Sequence, residues 1–129
     1  MTEAELLELL EIATTNSFTG FTLYLSVMFA YLVTAHFVGT KLTRSQVFLT
    51  SGLFLFGAFT STGATVIPLA RGIGYINTAK ALPNTSFRTS FWWAYEGSDF
   101  WVYFLLITCS AGAILGLYFM WNVRHAKSE

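Results

Sequence analysis

The chain has 129 residues, of which 54% are hydrophobic and 18% aromatic but only 11% charged, against roughly 25% charged in soluble domains. A domain this short has a large surface for its volume, so an apolar majority with few charges excludes a soluble enzyme and points to lipid as the surrounding medium. Seven basic and seven acidic side chains balance to a formal charge of zero, which leaves no net field to steer charged ligands and no basic patch for nucleic acid.

The charges cluster and leave uncharged runs over residues 12–40, 45–70 and 100–123. Each run is longer than the roughly 20 apolar residues a helix needs to cross a bilayer core. Inside lipid a helix also bonds every backbone amide internally. The reading is an all-α polytopic integral membrane protein of one domain. It has a short N-terminal amphipathic helix over residues 2–13, three transmembrane helices near 18–38, 47–69 and 100–121, and an external loop over 72–98.

The N-terminal segment places Leu6, Leu9, Leu10 and Ala13 on one helical face and Glu5, Glu8 and Glu11 toward the other, with Thr2 and Glu5 spaced as a capping box. Its acidic face is unlike the basic faces that hold interfacial helices on anionic lipid. It is therefore expected to pack on the protein's own outer surface, with docking of a separate partner as the alternative. A cleavable signal peptide would begin with basic residues; this one carries Glu3, Glu5, Glu8 and Glu11, so the first span is expected to be retained.

Span one carries Thr22, Ser26, Ala30 and Thr34 at intervals of four, a stripe on one face of a helix with 3.6 residues per turn. Small residues let helices approach closely, which is what drives association in lipid, so this is a candidate packing face. Thr108, Gly112 and Gly116 form the corresponding face of span three, the last two as a GxxxG. Span two repeats the device with Thr50, Gly57, Ser61 and Thr65. In a ring of subunits that face is also a candidate pore lining, because hydroxyls and freed carbonyls replace part of a solute's hydration.

Thr43 and Gln46 read as a second capping box that starts helix two directly after Lys41, so helices one and two form a tight hairpin. Pro68 frees the carbonyl of Ala64 and is expected to kink span two. Beyond it, the loop holds Pro83 and an Asn84-Thr85-Ser86 sequon, and Phe91, Trp92, Trp93, Tyr95 and Trp101 gather around the start of span three. Such rings gather at headgroup level, and Trp121 marks the other interface.

Lys41 and Arg44 behind span one and Arg124 and Lys127 behind span three set a cytoplasmic C-terminus and an external N-terminus in an inner or plasma membrane. Arg71, Lys80 and Arg88, dispersed through the longer loop, vote the other way.

Chemistry is sparse. The one cysteine, Cys109, sits mid-span with no basic neighbour to activate it. His36 and His125 have no metal-ligand spacing with each other or with a cysteine. Gly72, Gly74 and Gly97 lack the Lys and Ser/Thr of a phosphate loop, and no nucleophile elbow is present. No catalytic, cofactor or metal residues are therefore assigned.

Glu96 and Asp99 fall one turn apart. They read as the acidic start of helix three, or alternatively as an acid/base pair. His36, two residues inside the end of span one, reads as a packing side chain, or alternatively as part of a proton path. An enzymatic function would need Glu96, Asp99 or His36 to act on an interfacial lipid or quinone.

The expected function is non-catalytic: an assembly or accessory subunit that packs helix to helix in a homo-oligomer or with another membrane protein. The alternative is an oligomeric channel or small-solute transporter lined by span two.

Overall fold

The computed structural model describes residues 2–82 and 99–126, and all of its secondary structure is helical. Helix α1 is Glu3–Val38, α2 is Arg44–Lys80 and α3 is Phe100–His125. All three are long and apolar enough to cross a membrane. At about 1.5 Å per residue the first two are each about 55 Å long, well beyond a 30 Å hydrocarbon core.

Both capping boxes are present. The Thr2 amide donates to Glu5 Oε2 at 2.8 Å, and the Glu5 amide to Thr2 Oγ1 at 3.4 Å. At α2 the Thr43 amide donates to Gln46 Oε1 at 2.9 Å, and the Gln46 amide to Thr43 Oγ1 at 3.3 Å. Each box satisfies two amide donors that a helix start otherwise leaves open. The second one closes the hairpin: five residues separate Val38 from Arg44.

Two expected boundaries need correction. The acidic N-terminal segment is not a separate helix, because α1 runs unbroken from Glu3 through residues 14–17. Thr, Asn and Ser can divert a backbone from helix by local hydrogen bonding. Here Thr14 Oγ1 instead donates back to the Leu10 carbonyl at 2.8 Å, and Ser17 Oγ donates across to α2.

The second correction is at the end of α2, where residues 72–80, expected in the loop, continue the helix. Tertiary packing overrides the low propensity of Gly72 and Gly74. A Cβ at Gly72 would stand 3.5 Å from Leu10 Cδ1 and 3.6 Å from Ala13 Cβ, and Ile73, Ile76 and Ala79 are buried beyond it. The sequon, the aromatic cluster up to Tyr95, and Glu96 lie outside the described residues.

Helices α1 and α2 are in contact far more extensively than either is with α3. The chain runs down α1, up α2 and down α3. Leu10, Ile76 and Trp101 meet at one end, while at the hairpin end a Cβ on Gly39 would lie 3.3 Å from Val123 Cγ1. Tyr24, Tyr31, Ala35, Phe54, Ala58, Cys109 and Met120 form the core between the helices. Tyr31 stacks on Phe54 with ring centroids 4.0 Å apart.

Candidate functional site

Helices α1 and α2 approach each other closely at one glycine. A Cβ at Gly20 would fall 2.6 Å from the backbone carbon of Ala64 and 2.7 Å from its oxygen, so only hydrogen fits between α1 and α2 there. Ala64 is the residue whose carbonyl loses its helical donor to Pro68, and α2 continues through that proline without ending. One turn earlier on α1, Ser17 Oγ donates to the Thr65 carbonyl at 2.8 Å. Thus α1 supplies both the close backbone contact and a hydroxyl donor where α2 is weakened.

The hydroxyl and glycine face of α2 looks inward. Thr50 and Gly57 are half-buried, and Ser61 and Thr65 are buried at 7% and 1% exposure. A Cβ at Gly57 would sit 3.2 Å from Val27 Cγ1 of α1. Thr65 Oγ1 donates to its own helix at the Ser61 carbonyl, 2.9 Å away.

On α3, Gly112 lies beneath the Tyr24 hydroxyl, which donates to the Cys109 carbonyl at 2.5 Å. Gly116 faces Phe54 and Tyr31. Thr108 instead points outward and donates to the Phe104 carbonyl at 2.8 Å.

The stripe on α1 stands apart from these contacts. Thr22, Ser26 and Ala30 are exposed and Thr34 is half-buried. Their hydroxyls are absorbed locally: Thr22 donates to the Phe18 carbonyl at 3.0 Å, Ser26 to Thr22 at 2.9 Å, and Thr34 to Ala30 at 2.8 Å. The face of α1 that meets its own neighbours carries Gly20, Tyr24, Tyr31 and Ala35 instead. Sequence reasoning passed over these two tyrosines, although Gly20, Tyr24, Tyr31 and Ala35 continue the face of Leu6, Leu10, Ala13 and Ser17 in steps of three, four and seven. A tyrosine needs a partner for its hydroxyl when buried, and Tyr31 has one in Ser51 Oγ at 2.9 Å.

Of the residues weighed for chemistry, the described pair His36 and Asp99 are not brought together. His36 is exposed in the last turn of α1, its ring edge-on to Phe37 at 5.1 Å. Asp99 caps α3 at the other end, without a side-chain cap bond. Among the described residues no group of three His, Cys, Asp or Glu could hold a metal.

Two concavities stand out among the described residues. An apolar cavity of about 220 Å³ lies where the three helices meet at the Trp101 end, walled by Leu10, Phe18, Phe21, Pro68 and Phe104. Toward it stand the hydroxyl-bearing residues Thr14, Ser17 and Thr65, each with a hydroxyl bond to a backbone carbonyl. At the hairpin end a wider cleft of about 590 Å³ between the start of α2 and the end of α3 is lined by Arg44, Ser51, Trp121, Arg124 and His125. There His125 stacks on Trp121 at 4.3 Å, with Nδ1 2.8 Å from the Trp121 carbonyl.

No protein-family model matches the chain, and no curated protein or solved structure is significantly similar to it.

Proposed function

We propose that the chain is a polytopic integral membrane protein, N-terminus outside and C-terminus cytoplasmic in an inner or plasma membrane. It acts without catalysis as an assembly or accessory subunit, docking copies of itself or another membrane protein through helix packing. The observation that supports this most is the unused stripe of Thr22, Ser26 and Ala30 on α1. It is small, exposed and flanked by large exposed rings at Phe18, Phe29 and Phe37. In lipid, where apolar side chains gain little by leaving the tails, small residues on an exposed face let a second helix approach closely.

A channel lined by α2 is the weaker reading. It asks the buried Ser61 and Thr65 to face water, and the Thr65 carbonyl to give up the Ser17 hydroxyl. The packing reading needs no such rearrangement.

Ser26→Leu and Ala30→Leu test the proposal. Both side chains point away from the core, so helicity and thermal midpoint should hold while the mass of the extracted complex falls to that of the lone chain. If both variants retain the wild-type complex, the α1 stripe is not the docking face.

A further inference from the structure

We propose that the cleft between the first turns of α2 and the last turns of α3 is a binding site for the phosphate headgroup of an anionic phospholipid. The proposal rests on the reading that the chain lies in a membrane.

Charge segregation is the first support. The described carboxylates Glu3, Glu5, Glu8 and Glu11 occupy the start of α1, and Asp99 caps α3. All five stand at the end away from the hairpin, along a helix about 54 Å long. The hairpin end carries the described cations Lys41, Arg44 and Arg124, and Arg44 and Arg124 line the cleft itself.

The cleft also has the right shape of chemistry. Arg44 and Arg124 approach it from two different helices, and Ser51, two turns further along α2, lines its deeper wall. Guanidinium forks bind phosphate oxygens in pairs. Leu117, Met120 and the exposed Trp121 form an adjoining apolar wall. Free phosphate has no use for that wall, whereas glycerol and acyl chains do. Basic pockets between spanning helices on the cytoplasmic side hold anionic headgroups in the same way.

The test is native mass spectrometry of the full chain from nanodiscs of equimolar phosphatidylcholine and phosphatidylglycerol. Phosphatidylglycerol should be retained preferentially by the wild type. In the Arg44→Gln/Arg124→Gln double variant that preference should fall roughly thirtyfold, about fivefold per cation removed. Lys41→Gln, a neighbouring cation outside the cleft lining, should lower it far less than the double variant does.

Circular dichroism of each variant separates lost binding from lost fold, and Arg44→Lys/Arg124→Lys, which keeps the charge but not the fork, should fall between. Equal retention of the two lipids by a chain that does enter nanodiscs would overturn the site alone. So would an equal loss in Lys41→Gln, which would mean a diffuse surface field. Inorganic phosphate raising the thermal midpoint in pure phosphatidylcholine discs as much as phosphatidylglycerol does would assign the cleft to a free anion instead. A chain that stays soluble without lipid would overturn the membrane reading and this inference with it.

Discussion

At the residue scale, single atoms decide whether the helices can meet. Gly20→Ala puts a Cβ 2.6 Å from the α2 backbone, and backbone cannot rotate away as a side chain can. Overpacking of this kind costs about 1–3 kcal/mol or more, so the variant should lower the thermal midpoint clearly, whereas Gly63→Ala, with open space around it, should not. A midpoint unchanged by Gly20→Ala would mean that α1 and α2 are not this close. Glu5 offers a second, milder test. Hydrogen bonds from the Thr2 backbone amide and then the Thr2 hydroxyl hold its carboxyl below the usual carboxylate range. A depressed folded pKa lends stability that is complete above the ordinary value and is lost as pH falls through the lowered one. Hydrogen-exchange protection of the first turn should therefore hold down to about pH 4.5 and decline below it. Glu5→Gln keeps an acceptor oxygen and should weaken that pH step, and an unaltered profile would show that the capping carboxylate is not its source.

At the element scale, the helix starts were legible and the helix faces were not. Thr2 with Glu5 and Thr43 with Gln46 announced their caps because a capping box is local chemistry, complete within four residues. The end of α2 was misread because Gly72 and Gly74 resemble a loop in isolation, and only burial of Ile73, Ile76 and Ala79 carries the helix past them. Faces failed for another reason. Where every turn is apolar, hydrophobic periodicity has little contrast, so the regular stripe of Thr22, Ser26, Ala30 and Thr34 drew attention while Tyr24 and Tyr31 sat on the face that packs inside the chain. The polar end of a buried ring was the available signal, since it demands a partner. Gly112→Ala tests this: its Cβ would overlap the Tyr24 hydroxyl and break the bond to the Cys109 carbonyl. It should cost more stability than Ala111→Gly on the exposed face, where only about 1 kcal/mol of helix propensity is at stake. The reverse order would remove Tyr24 from the α1–α3 contact.

At the scale of the whole molecule, three helices are long and apolar enough to cross a membrane, and the proposed topology, with all three crossing, puts Ala4 and Ala126 on opposite sides of it. Cys109 is the one native cysteine and is buried, so a Cys109→Ala background makes single-cysteine labelling clean. A membrane-impermeant maleimide added to intact cells should label Ala4→Cys and spare Ala126→Cys until the membrane is opened. Labelling of both from outside would rule out three crossings. The same view explains why so much apolar surface is left uncovered: three helices enclose one narrow core, and Phe29, Phe48, Phe59, Ile107 and Ile114 remain exposed. Lipid can cover the large rings, but the small-residue stripe of α1 is better filled by another helix. The central claim is therefore one of assembly. It is tested most directly by extracting the wild-type protein from its native membrane in a lipid-retaining polymer and weighing the intact complex by native mass spectrometry, with subunits identified after release. The account predicts a discrete complex, either a closed set of identical chains or this chain with a different membrane protein; a lone chain carrying only lipid would contradict it.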